Sequence, residues 1–299
     1  MNRARQLVEA AAVETAFRLA RVLPRRALLG LGAAAGALLG RIDLRHTRIA
    51  RENLARAYGD TVPAPERERI LRRCWRHFGR IGLDVLYFPR LGRDDLGGVL
   101  AIEGAEHLRQ ALTLGRGALV FSAHYGHWEA GAYAMGLLEI PFAVIGRPLD
   151  NPLLERRLLA LRGGTGNAVI PKRRAVRETM KALAAGTAVA ILIDQDARDD
   201  GVFVPFFGRP ASTTPTLALL ALRTGAPVVP VFARVAADGT IGVHVQPAVP
   251  IEATGDRDAD VLRVTAACTA VVETWVRRDP EQWLWMHRRW KTVPRGGSE

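Results

Sequence analysis

Cysteine is nearly absent from this chain of 299 residues: Cys74 and Cys268 are the two. Two thiols so far apart build neither a disulfide framework nor a zinc cluster, and the count fits a reducing compartment. Lysine is almost as scarce, with Lys172, Lys181 and Lys291 the three present. Aromatics make up 6%. No zinc-type spacing and no aromatic-rich RNP-like run appears, which argues against nucleic acid as a partner. Long apolar runs are missing too. The best candidate, 27–40, lies between Arg26 and Arg41 and as a helix spans about 21 Å, short of a hydrocarbon core of about 30 Å. Glu9 and Glu14 break what would otherwise resemble a signal-peptide core.

What is present is apolar residues at 48%, enough for a sizeable core, and a formal net charge of +12. With so few lysines the positive field is arginine, which keeps its charge and grips phosphate in two places. Residues 1–58 hold eleven arginines against Glu9, Glu14, Asp43 and Glu52. Between them lie Leu7, Val8, Val13, Phe17, Leu19, Val22 and Leu23. Arginine flanking apolar helix of sub-spanning length suits the headgroup region of an anionic membrane surface. Gly30, Gly32 and Ala35 match a dinucleotide fingerprint, but no strand precedes them. Gly32, Gly36 and Gly40, four apart, read instead as a close helix-packing face.

Ile70, Cys74, Phe78, Ile81 and Val85 recur at helical spacing. The chain is therefore expected to be helical to about residue 95, as a membrane-associating region 1–95. Beyond it short apolar runs alternate with helical stretches: strands over 117–123, 142–145, 187–193, 228–233 and 241–245, helices over 128–138, 152–161, 176–185, 216–223 and 258–278. The alternation predicts an α/β domain over 96–299, with a central mixed, mostly parallel sheet flanked by helices and a basic helical N-terminal extension.

The sharpest local feature is SAHYGHWE, Ser122 to Glu129, after an apolar strand and before a helix. That is a usual place for reactive groups in α/β sheets. His124 is expected on the turn and Glu129 in the first helical turn, close enough for the carboxylate to fix the ring's tautomer and stabilise its imidazolium. This is a general base without an in-chain nucleophile, suited to deprotonating a substrate hydroxyl or amine. A metal site built from His124, His127, Glu129 and Asp194 is one alternative, and a purely structural histidine pair is another. A third reading has a peripheral membrane protein whose arginines only bind lipid. Asp194 and Asp196 follow a second strand, a context shared by sites and ordinary turns. The stretch 201–214 reads as a loop whose Phe203, Phe206 and Phe207 line an acyl groove or fill the core. The run WLWMHRRWKTVPR, 283–295, combines tryptophans with basic residues, as at a membrane interface.

Together these blocks resemble the bacterial lipid A biosynthesis (lauroyl/myristoyl) acyltransferases, a branch of the lysophospholipid acyltransferase superfamily. Phosphatidylinositol-mannoside acyltransferases belong to the same branch. The likeness runs in order through RHTRIARENLARAY, SAHYGHWE, GRPLDNPLLERRLLALRGGTGN, IDQDARDDGVFVPFFGRPASTTPTLALLALRTGAPVVPV and QWLWMHRRWKTVPR. It implies transfer of a fatty acyl group from acyl carrier protein or acyl-CoA to a hydroxyl of a glycolipid acceptor. The place would be the cytoplasmic face of a bacterial inner membrane, the chain peripheral or N-terminally anchored. It implies no metal, no cofactor and no covalent acyl-enzyme. His124 matches the base and Glu129 its partner, while Arg162 and Asp194 match positions used in the site. Arg147 falls in a matching block and extends the phosphate contacts. Arg209 is a further substrate-binding candidate, and backbone N–H groups at 126–128 are candidates for the oxyanion.

Overall fold

A computed structural model describes residues 3–294. Four helices come first: α1 (Arg3–Val22), α2 (Arg25–Ile42), α3 (Leu44–Tyr58) and α4 (Ala64–Asp84). The α/β portion then runs β1 (Leu100–Glu103), α5 (Ala105–Thr113), β2 (Ala118–Ser122), α6 (Trp128–Leu137), β3 (Phe142–Gly146), α7 (Pro152–Gly163), β4 (Ala168–Pro171), α8 (Ala175–Ala184) and β5 (Ala188–Leu192). It continues with β6 (Val202–Phe206), β7 (Arg209–Thr213), α9 (Thr216–Thr224), β8 (Val228–Val235), β9 (Ile241–Val245) and α10 (Arg257–Arg278).

Seven strands form one sheet in the order β1-β9-β8-β2-β5-β3-β4. From β8 to β4 the neighbours are parallel, and β9 turns back antiparallel to β8. The fold is therefore α/β with a mixed, mostly parallel sheet between helices. Strand alternation divides the core. Leu119 and Phe121 of β2 face one apolar cluster with α3, α4, α8, α9 and α10, while Ala118 and Val120 face a second with α5, α6 and α7. Both faces of β2 are buried, which is why its sequence reads as a continuous apolar run.

The N-terminal helices are built into this body. Ala50 and Leu54 of α3 and Ile70, Leu71 and Cys74 of α4 belong to the same apolar cluster as the sheet's β2 face. Helix α2 lies on α4 through glycine: a Cβ on Gly36 would sit 2.1 Å from the Trp75 carbonyl oxygen, and one on Gly79 2.1 Å from that of Gly32. The Arg25 guanidinium locks the same pair by donating to both Asp84 carboxylate oxygens at 2.7 and 2.5 Å. Helices α2 and α3 meet at a bend of 90°, and no single helix among the described residues is long and apolar enough to cross a membrane.

Two sequence expectations are corrected here. The stretch read as a loop over 201–214 contains the antiparallel hairpin β6–β7. Its prolines concealed it: Pro205 faces Pro210, which a two-stranded ribbon tolerates because its outer edges need no donor. The run 283–294 is not an interfacial aromatic patch, since Trp283, Trp285 and Trp290 are all buried. Phe206 and Phe207 pack edge-on to Trp283 and tilted against Trp285, respectively. Buried Arg289 donates to the Ser212 carbonyl and the Thr213 hydroxyl. Arg295 lies outside the described residues. Short β1 and β4 and helix α5 are additions, too brief to announce themselves by periodicity.

Gly36→Leu is expected to destabilise the chain by about 3 kcal/mol or more, because the atoms it strikes are backbone and cannot step aside. Gly30→Ala on the same helix, where a Cβ meets nothing within 4 Å, should be neutral or stabilising by up to about 1 kcal/mol. Thermal unfolding of the two variants side by side measures the contrast.

Candidate active site

Strand register assembles the site. Ser122 of β2 pairs with Leu192 of β5. Two residues further along each parallel strand, His124 and Asp194 emerge side by side at the carboxyl edge of the sheet. The His124 ring nitrogen Nδ1 lies 2.8 Å from Asp194 Oδ1, and the His124 backbone N–H donates to Oδ2 at 2.8 Å. The Trp283 indole N–H donates to the same Oδ2, also at 2.8 Å. A carboxylate so provided with donors is held ionised. Burial opposes its charge, but the His124 charge and these hydrogen bonds win, and its pKa falls to about 2.

For His124 burial disfavours the charged ring, yet the charge and hydrogen bond of Asp194, with the more distant charge of Glu129, outweigh it and raise the pKa above the ordinary histidine value. Ionised Asp194 accepts from Nδ1, which fixes the tautomer. Nε2 then carries the lone pair, with the Gln195 amide nitrogen 3.4 Å away. Trp128 packs edge-on against the ring at 5.3 Å.

Glu129 is thus not the carboxylate against the imidazole, as the sequence reading expected. It sits in the first turn of α6 and receives both arms of Arg162, at 3.0 and 2.5 Å. The reason is reach. Five residues of turn and helix start carry Glu129 past the ring toward α7, while the parallel strand next door delivers Asp194 directly. The structure brings together His124, Asp194, Glu129 and Arg162. It does not bring in Arg147, which is exposed and pairs with Asp150 at 3.2 Å. Nor does it bring in Arg209, whose Nε donates to the Arg56 carbonyl at 2.8 Å and ties the hairpin to the end of α3. Sequence reasoning missed Trp283 as a site residue, having assigned it to an interface.

His127 points into the core. It lies tilted against Phe88, ring centres 4.8 Å apart, with Nε2 3.6 Å from Asp84, and burial drives its pKa down to about 3. Among the described residues no three His, Cys, Asp or Glu side chains gather as a metal site. Two of the expected oxyanion donors are already engaged: the Gly126 N–H with the Gln282 carbonyl at 2.8 Å and the His127 N–H with Ala233 at 2.7 Å. Gly126 itself is forced, with φ +57° and room for no Cβ beside the Ala233 carbonyl.

Beside the turn that carries His124 a cleft runs between α6 and the sheet, with Ser122, Trp128 and Glu129 among its walls. Small residues make the room: Gly131 and Ala132 on the helix, Ala190 and Ala233 on the strands. Trp128 and Glu129 stand at its rim with Arg162. A second, much smaller gap shares the Glu129–Arg162 pair and continues between Phe88, Ala132, Tyr133, Val144 and Leu161. The arrangement offers a polarised imidazole against Trp128, which lines an apolar slot.

The family model for bacterial lipid A biosynthesis acyltransferases matches residues 3–292. The chain belongs to this family. It is accordingly an acyltransferase. Curated relatives agree in length as well as sequence. The lipid A biosynthesis palmitoleoyltransferase of Escherichia coli (strain K12) is 30% identical over 92% of this chain and 89% of its own length. The lipid A biosynthesis lauroyltransferase of the same strain is 29% identical over 92% and 88%. A phosphatidylinositol mannoside acyltransferase of Mycolicibacterium smegmatis is 26% identical over 92% and 88%. Family membership covers the helical N-terminal segment as well as the sheet.

The division of labour between the two carboxylates is measurable without substrate. In an NMR titration of the His124 ring, Asp194→Asn is expected to lower the pKa, because burial then acts unopposed by the contacting charge. Glu129→Gln should lower it less. Equal shifts, or none from Asp194→Asn, would contradict the assignment.

Proposed function

We propose that this protein moves a fatty acyl group from a thioester donor to a hydroxyl of a glycolipid, with His124 as general base. The observation that carries the proposal is the His124–Asp194 contact of 2.8 Å, with Trp128 packed on the ring and lining the apolar cleft. Asp194 holds the proton on Nδ1 and Nε2 takes the proton of the acceptor hydroxyl as its oxygen attacks the thioester carbonyl. Asp194 stabilises the imidazolium as it forms. The tetrahedral oxyanion then needs donors, and the first-turn amides of Trp128 and Glu129 at the start of α6 remain for that purpose. Collapse of the intermediate expels the thiolate, which the imidazolium reprotonates. The acyl chain lies in the slot under α6, and the Glu129–Arg162 pair holds its charged rim.

The donor in this reading is an acyl carrier protein or acyl-CoA, both anionic and drawn by a chain of net charge +12. Lipid A precursors and mannosylated phosphoinositides are the two acceptor classes supported by the relatives' names. In this reading the enzyme works at the cytoplasmic face of a bacterial inner membrane. The exposed apolar residues favour the N-terminal helices as the membrane side: among the described residues fifteen large apolar side chains stand exposed, and nine of them lie between Leu7 and Leu44. Arg147, exposed at the end of β3, remains available to an acceptor phosphate.

His124→Ala is expected to cut transfer by about 10³-fold with folding intact, read by mass spectrometry of the acylated product. Wild-type kcat/KM should rise with pH through a raised histidine pKa, since the base works unprotonated, and Asp194→Asn should move that limb to lower pH while depressing the plateau. A chelator is expected to leave the rate unchanged. Normal turnover by His124→Ala would remove the base from this scheme.

A further inference from the structure

Helix α4 carries Arg69, Arg72, Arg73 and Arg76, spaced i, i+3, i+4 and i+7, so all four share one face. Opposite them stand Arg41 at the end of α2 and Arg51 on α3. These six surround a cleft of about 540 Å³ between the three helices. The acids nearby do not neutralise it. Glu68 is taken by Arg51 and Glu66 by Arg69, while Arg41, Arg73 and Arg76 make no hydrogen bond or ion pair among the described residues. A solvated basic helix face is the ordinary outcome of such a run. Here the charges instead ring a concavity with an apolar floor of Ala37, Gly40, Leu71 and Trp75. The indole N–H of Trp75 is buried without an acceptor.

The surroundings add a second, independent sign. Leu38, Ile42 and Leu44 flank the cleft's Arg41 in sequence at the α2–α3 bend, and are 56%, 64% and 72% exposed. An apolar apex beside an arginine-ringed hollow has the geometry of a segment dipped into a leaflet with its basic groups at headgroup depth.

We propose that this cleft is a binding site for the phosphate of a lipid, its guanidinium groups gripping the phosphate and its apolar floor taking the start of the chain. The phosphate belongs to either a phosphorylated acceptor or a neighbouring anionic phospholipid; the recognition chemistry is the same. The site is placed to matter for the chemistry. Phe78 lies three residues beyond Trp75 on α4 and touches Trp128 at 6.1 Å, which in turn packs on His124. The inference rests on the N-terminal helices facing the membrane and does not depend on the role of His124.

The test is calorimetric titration of the full chain in dodecyl maltoside with dihexanoyl phosphatidate, a soluble lipid phosphate. Saturable binding near one per chain is expected, weakened about tenfold or more in Arg73→Glu/Arg76→Glu and in the milder Arg73→Gln/Arg76→Gln. Dihexanoyl phosphatidylcholine should not bind. Equal binding by both double variants, equal binding of the phosphatidylcholine, or equal competition by inorganic phosphate would each overturn the proposal, the last because the floor would then contribute nothing. Circular dichroism confirms that these exposed positions leave the fold intact. Two further arms separate the sources. A fall in partition to phosphatidylcholine vesicles carrying phosphatidate, with unchanged KM in mixed micelles, assigns the phosphate to a membrane lipid. A rise in KM for a phosphorylated acceptor, with none for its dephosphorylated form, assigns it to the acceptor. A wild-type chain inactive in transfer would count against the His124 scheme and leave the titration standing.

Discussion

The contact between His124 and Asp194 depends on one pairing of parallel strands. Because β2 and β5 lie in register through Ser122 and Leu192, the residues two steps beyond each strand end share a spot at the sheet's edge. A slip of one residue would turn Asp194 to the other face of the sheet. What holds the register is burial on both sides of β2, whose alternate residues enter two separate apolar clusters. The packing of ordinary apolar side chains therefore sets the position of a proton.

Much of this was legible in the residues and some was not, for physical reasons. Periodicity located the long helices and the fully buried strands because it reports which faces are covered. The turn bearing His124 stood out because polar, glycine and aromatic residues are compressed between a strand and a helix. The companion of the imidazole did not follow. Glu129 is near in sequence and Asp194 is seventy positions away, and no local pattern tells which neighbour strand will deliver a side chain. Trp283 was invisible as a site residue for the same reason. An indole beside arginines reads as interfacial until the fold shows its N–H committed to Asp194.

The basic N-terminal segment joins two kinds of packing. Glycine lets α2 and α4 approach to backbone contact, and the Arg25–Asp84 pair fixes their mutual setting. Burial raises the Asp84 pKa despite the arginine beside it, so the carboxylate depends on that contact. Helix α2 leaves Leu31, Leu38 and Leu39 outward, and both helices leave most of their arginines outward. One face is thus shaped by the protein interior and the other by whatever the protein lies against, and α4 contributes to both.

The segment after α10 has a temporal consequence. Leu284 donates to the His124 carbonyl, Asn53 caps the carbonyls of Trp285 and His287, and Trp283 completes the hydrogen bonds of Asp194. During synthesis the arginine-rich helices emerge first and the tryptophans that finish the acid's surroundings emerge last. The residues that give the imidazole its final setting are therefore the last of these to be made, some 230 positions after Asn53, to which they bind.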